Sequence, residues 1–286
     1  MYQGCFVSLV TPFLKSLQID EERWQALILW HLKEGSKGFV IASEVGEGFF
    51  LTVEEKLNLL KKALEITQKA VPVILETSFQ NAKSCKCLIK QAKALGADAC
   101  LIELPSYSRE SEEAYFSYFY DLSKLEVSLV MRSSPKEKKW PAQVLSELST
   151  LPNVLGIQEA SGEASLTQEI LSWCHTTIFS GHDDMTYSLM KKGAKGCFST
   201  LANVMPSLGS KLVSSYFNQE YAKALLLQKK YKQLGEMLRV DRPELGVKYA
   251  LSLLDKCLPY TRSTPTPLSE KEQKKIQAFL KNFSFP

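Results

Sequence analysis

The chain has 286 residues, of which 45% are hydrophobic and 23% charged, and its net charge at neutral pH is +4. This is ordinary globular composition, enough for one large domain or a domain with an appendage, and it excludes a disordered or fibrous chain. The positive residues are scattered over predicted helix faces, so no nucleic-acid partner is expected. No apolar run approaches the roughly 20 residues that cross a bilayer, so no membrane partner is expected either.

The opening stretch, MYQGCFVSLVTP, has no basic segment before its short apolar run, and Pro12 soon ends that run. It reads as a strand rather than a signal peptide and points to a cytoplasmic protein. The seven cysteines are odd in number, and the three histidines, His31, His175 and His182, lie near no cysteine pair. Reduced, mostly buried thiols are expected, with no zinc pattern and no cofactor.

Taken in order, the apolar runs Cys5–Val10, Gly38–Ala42, Val71–Leu75, Ala99–Leu104, Val127–Met131, Val154–Ile157, Thr177–Ser180 and Gly196–Ser199 read as strands. They are too short and too uniformly apolar for half-exposed antiparallel strands, which suits a parallel sheet covered by helices. Helical patterns separate them. Thr52-Val-Glu-Glu55 forms a capping box, Asp20 precedes two glutamates, and Pro141 and Pro206 suit first helical turns. Strand–helix units repeated in this way, without a Gly-rich phosphate loop, predict a (β/α)₈ TIM barrel over residues 1–217. After Phe217 only helical patterns follow, over Tyr221–Leu238, Leu245–Leu254 and Ser269–Leu280. Residues 218–286 are therefore expected to form a helical appendage packed on the barrel.

In such a barrel the chemistry sits at the carboxyl ends of the strands. Those ends read Val10-Thr-Pro12, Ser43-Glu-Val-Gly-Glu-Gly48, Glu76-Thr-Ser78, Leu104-Pro-Ser-Tyr107, Met131-Arg-Ser-Ser-Pro135, Gly156-Ile-Gln-Glu159, Ser180-Gly-His-Asp183 and Ser199-Thr-Leu-Ala-Asn203. In order and spacing they resemble the dihydrodipicolinate synthase / N-acetylneuraminate lyase family over nearly the whole chain, including Pro243 to Lys248. The resemblance implies a homo-oligomer, dimer or tetramer, and a Schiff base between a keto acid and a lysine at the end of the sixth strand. It implies a proton-shuttling tyrosine after the fifth strand, and a Gly-Thr-Thr-Gly-Glu-like loop after the second strand that relays protons and binds carboxylate. A second tyrosine after the fourth strand completes the relay from a neighbouring subunit.

The chain departs from that pattern at the positions that carry the chemistry. Gln158 stands at the lysine position, Arg132 at the shuttle tyrosine, and Glu44 and Val45 at the two threonines, while Gly46, Glu47, Tyr107, Gly181 and Asn203 remain. An amide nitrogen has no free lone pair, so Gln158 cannot form an imine. Arginine stays charged near neutral pH and cannot cycle a proton, but it can clamp a carboxylate. A Glu44–Arg132 ion pair with Gln158 alongside is therefore expected to fill the old site. In the competing reading Arg132, Val45, Gly181 and Phe198 hold a small anionic ligand. An enzyme with Glu44 as general base and Arg132 as carboxylate clamp is a further possibility. A working aldolase would need another lysine at the mouth, and Lys136, in a charged loop, is the nearest in sequence. Metal binding by the acidic strand ends is set aside because carboxylates at helix starts usually cap them. The aromatic run Tyr115–Tyr120 reads as a packing helix, and His182 as a loop residue.

Overall fold

The computed structural model describes residues 2–78, 82–103, 112–133, 142–240, 242–264 and 266–283. The eight apolar runs become parallel strands, β1 (Gly4–Ser8), β2 (Phe39–Ile41), β3 (Val73–Glu76), β4 (Ala99–Ile102), β5 (Leu129–Ser133), β6 (Val154–Glu159), β7 (Thr177–Ser180) and β8 (Gly196–Ser199). They close in chain order into a (β/α)₈ barrel, β8 pairing back to β1 with Cys197 opposite Cys5. The helices between them are α1 (Glu21–Lys33), α2 (Val53–Thr67), α3 (Ala82–Leu95), α4 (Glu112–Ser123), α5 (Ala142–Ser149), α6 (Ala164–Trp173), α7 (Thr186–Lys191) and α8 (Pro206–Phe217). Three more follow, α9 (Tyr221–Leu238), α10 (Pro243–Leu253) and α11 (Glu270–Asn282). The capping box at Thr52 forms as expected, and a second one, Ser269 with Glu272, opens α11. Among the described residues no helix is long and apolar enough to cross a membrane.

Successive side chains of a strand point to opposite faces, which divides the buried residues into two sets. The outward set packs against the helices and makes the larger core, from Val7 and Phe39 to Leu212 and Tyr231. The inward set is Phe6, Val40, Ile74, Ala99, Leu101, Val130, Phe179 and Phe198, which fill the barrel's interior. Phe6, Phe179 and Phe198 pack ring to ring, with centroids 4.9–5.4 Å apart. The interior is thus a packed layer rather than a pore, and it forms the floor of whatever sits above it.

Two details position that upper level. β6 runs two residues beyond its expected end at Ile157, so Gln158 and Glu159 still belong to the strand and pair in register with Arg132 and Ser133 of β5. One alternation above Val130 and Ile74, Arg132 and Glu76 then share the inward face. Phe198, expected at a ligand, lies instead in the aromatic floor and is 2% exposed. Removing one ring from this floor opens a cavity that its stiff neighbours cannot close. Phe179→Ala is expected to cost about 3–5 kcal/mol in chemical denaturation at an unchanged m-value, and a loss near zero would show that the layer repacks.

Candidate functional site

The upper level is built around Arg132. Its Nη1 and Nη2 each donate to one carboxylate oxygen of Glu76 at 2.7 Å, and its Nε donates to Gln158 Oε1 at 2.8 Å. Glu103 Oε2 lies 3.7 Å from Nη1. The expected partner was Glu44; the bidentate partner is Glu76. The reason is directional. Glu76 ends β3 on the inward face above Ile74, so its carboxylate meets the guanidinium plane head on, whereas Glu44 is itself exposed on an otherwise buried loop and acts on Arg132 through its field. Burial works to lower the Arg132 pKa, but Glu76, Glu103 and Glu44 outweigh it and hold the guanidinium charged. Glu76 is pushed upward by its own burial, with Glu103 and Glu44 adding to that and Arg132 opposing it.

The fork leaves Gln158 with its oxygen committed and its side chain 5% exposed. Next to it, Glu159 points to the other face, where its carboxylate accepts from Ser161 N at 2.8 Å and from the Ser161 hydroxyl. Gly181 is required by packing: a Cβ there would fall 2.7 Å from Ala160 Cβ and 2.8 Å from Glu159 O. Val45, expected at a ligand, is 5% exposed and packs into the outer core. His182 Nε2 bonds Ala160 O at 3.0 Å, which commits that ring nitrogen to the backbone. Tyr107 and Lys136 lie outside the described residues. Among the described residues no three His, Cys, Asp or Glu side chains converge as metal ligands.

One residue at this end of the barrel, Lys56, escaped the sequence reading, and another, Asp183, was read only as an acidic residue at a helix start. Lys56 of α2 is 3% exposed; burial lowers its pKa and the Glu76 charge partly restores it. Its position four residues after the cap Thr52 placed it on a helix, and no sequence signal says that this turn of the helix faces inward. Asp183 caps the turn after β8, accepting from Thr200 N at 3.1 Å and Leu201 N at 3.0 Å. Its other oxygen, Oδ1, is shut off from solvent without a hydrogen-bond partner among the described residues. Burial raises its pKa to about 6, against the pull of Ser199 and the two N–H groups and with the help of Asp184. Tyr231, bonded to Ser199 Oγ at 2.5 Å, and the buried Cys5 and Cys197 close the same pocket of side chains.

Both features predict measurable behaviour. Glu76→Ala strands a buried guanidinium and is expected to destabilise by about 3–5 kcal/mol, whereas the paired change Glu76→Leu/Arg132→Met is expected to be nearly neutral. Equal losses in the single and double variants would show that the pair is not a unit. Because the folded pKa of Asp183 lies above its ordinary 3.8, its contribution to stability is complete below that pH and is lost as pH rises through about 6. Asp183→Asn keeps an acceptor for the two N–H groups, so it is expected to flatten the pH dependence of stability across this window, by no more than about 3 kcal/mol. An unchanged slope in pH-resolved urea titrations would contradict the assignment.

Residues 1–283 match the model of the "Dihydrodipicolinate synthetase family". The 4-hydroxy-tetrahydrodipicolinate synthase of Clostridium perfringens (strain SM101 / Type A) is 32% identical over 282 residues, covering 96% of this chain and 95% of that protein. That of Thermodesulfovibrio yellowstonii is 28% identical over 287 residues, 99% of this chain and 98% of its own. The crystal structure of the Thermotoga maritima dihydrodipicolinate synthase superposes with a TM-score of 0.93 at 26% identity, covering 98% of each chain. A structure described as the first monomeric dihydrodipicolinate synthase variant gives 0.94 at 26% identity, over 98% of this chain and 96% of that one. With a family match across nearly its whole length and a closed eight-stranded barrel beneath it, the chain belongs to the dihydrodipicolinate synthetase family.

Proposed function

We propose that this chain is a member of its family that has given up keto-acid imine chemistry, its former substrate pocket filled by its own Arg132–Glu76–Gln158 constellation. One observation carries the reading: the guanidinium is spent on the protein, with both Nη atoms on Glu76 and Nε on Gln158. A Schiff base needs a free amine, and position 158 offers an amide that already accepts a hydrogen bond. Proton shuttling at position 132 needs a group that titrates near neutrality, and the surrounding carboxylates hold this one charged.

The anion-clamp reading fares worse in this geometry. A substrate carboxylate would have to displace Glu76 from a bidentate, 2.7 Å pairing in which both partners are largely buried. It would do so in the combined field of Glu76, Glu103 and Glu44. For the same reason Glu44 as a general base has no substrate-orienting arginine to work with. The function left to the chain is structural or associative, and we propose that it self-associates as a dimer or tetramer in the cytoplasm. The similar structure described as the first monomeric variant supports association as the ordinary state of its relatives.

The test is incubation with pyruvate and borohydride followed by intact-protein mass spectrometry, with the C. perfringens synthase as the positive control. No mass gain is expected for this chain. A stoichiometric adduct would overturn the proposal, and peptide mapping would then be directed first at Lys56, the buried amine in the field of Glu76.

A further inference from the structure

Glu47 survives at the position where the family resemblance implies proton relay and carboxylate binding, yet its surroundings suit a different task. The side chain is completely buried. Its Oε1 accepts from Lys248 Nζ of α10 at 2.5 Å, and its Oε2 accepts from the backbone N–H groups of Arg262 at 2.6 Å and Ser263 at 2.8 Å. Lys248 Nζ also donates to Tyr260 O at 3.0 Å and lies 4.1 Å from the centre of the Phe13 ring. Arg262 stacks on the same ring at 4.6 Å, forks onto Glu55 of α2 at 2.7 and 2.8 Å, and donates to Phe50 O and Leu17 O. The strap between α10 and α11 is therefore fastened to the mouth loop, to the helix that follows that loop, and to the turn after β1.

The loop itself is wound to receive this. Glu47 adopts the left-handed conformation, φ 56° and ψ 35°, which non-glycine residues take only when their surroundings hold them there. Its N–H donates to Glu44 O at 2.9 Å, and Gly48 N donates to Ser43 O at 3.0 Å, so the path of residues 43–48 is fixed by a few contacts centred on Glu47. Gly48 is obligatory, since a Cβ there would overlap Ala42 O.

We propose that Glu47 is a positioning residue through which the C-terminal helices set the path of the mouth loop, and with it the place of Glu44. Both carboxylate oxygens accept from donors of the C-terminal segment, which ties the group to the strap. Loop and strap form one latch with Glu47 as its tongue. This holds independently of whether the pocket turns over, so it stands or falls apart from the borohydride result.

Hydrogen exchange read by mass spectrometry, segment by segment, tests the latch in the full chain. Glu47→Gly removes the carboxylate while relieving the left-handed backbone. If Glu47 merely accommodates the turn, glycine should tighten the loop. The latch instead predicts that exchange in residues 43–51 and 260–264 rises together, roughly tenfold or more, with β4 to β6 unchanged. The apolar pair Glu47→Leu/Lys248→Met supplies the second readout: it is expected to recover the global denaturation midpoint, because no charge is left buried alone, while both segments stay fast. Should Glu47→Gly fail to fold, Arg262→Ala, which leaves the ion pair in place, is expected to speed the same two segments. Loosening of one segment without the other, or protection retained in both, would overturn the proposal.

Discussion

A permanently charged guanidinium inside a barrel is the constraint on which the mouth of this protein depends. Arginine cannot escape burial by losing its proton, so every placement of Arg132 on the inward face requires a carboxylate within reach. Glu76 satisfies that requirement in the strongest available geometry, two parallel N–H···O bonds. Once these two are joined, Gln158 follows. The Nε–H of the fork is taken by the neutral Gln158 oxygen, and a lysine in register beside Arg132 would set two cations on adjacent strands. The substitutions at positions 132 and 158 are thus physically consistent with each other.

The same logic of satisfied charge operates on the far side of the mouth loop. Glu47 and Lys248 are completely buried as a pair, and backbone groups add two further hydrogen bonds to Glu47 and one to Lys248. Such a pair contributes little net stability when compared with an apolar pair of the same shape, but it tolerates no other arrangement. That makes it suited to fixing where a loop goes rather than how tightly the chain folds. α9 acts in a comparable way on the opposite rim, where Gln228 bonds Tyr187 N and Asp183 O and Tyr231 bonds Ser199. α9, α10 and the strap that follows α10 hold loops of the barrel from outside, and α11 packs on α9 and α10.

Much of this was legible in the sequence. The eight apolar runs mark all eight strands because a parallel strand buried on both faces must be apolar throughout. The strand-end motifs locate Gln158 and Arg132, and their chemistry follows from residue type alone. What stayed hidden was pairing across the barrel. The sequence offers several carboxylates at the mouth, Glu44, Glu76 and Glu103 among them, and only strand stagger and the inward alternation of β3 choose Glu76. Glu47 read as a catalytic remnant because its partners lie about 200 residues away, with |i−j| of 201 to Lys248. Phe198 read as a ligand contact because a strand-end phenylalanine gives no sign of whether it faces a pocket or two other rings.

These features together would let the fold outlast the loss of the family's chemistry that we propose. The stability of the barrel resides in the aromatic floor and the helix–strand layer, neither of which includes the side chains at positions 132 and 158. Those positions are free to change as long as charge is balanced locally. Here Glu44, Glu76 and Glu103 all act on Arg132, and Lys56 lies in the field of Glu76. The field of these carboxylates opposes an approaching anion over several ångströms, which supports the proposal that the site binds none. Under that proposal the same carboxylates serve to hold the arginine charged and in place.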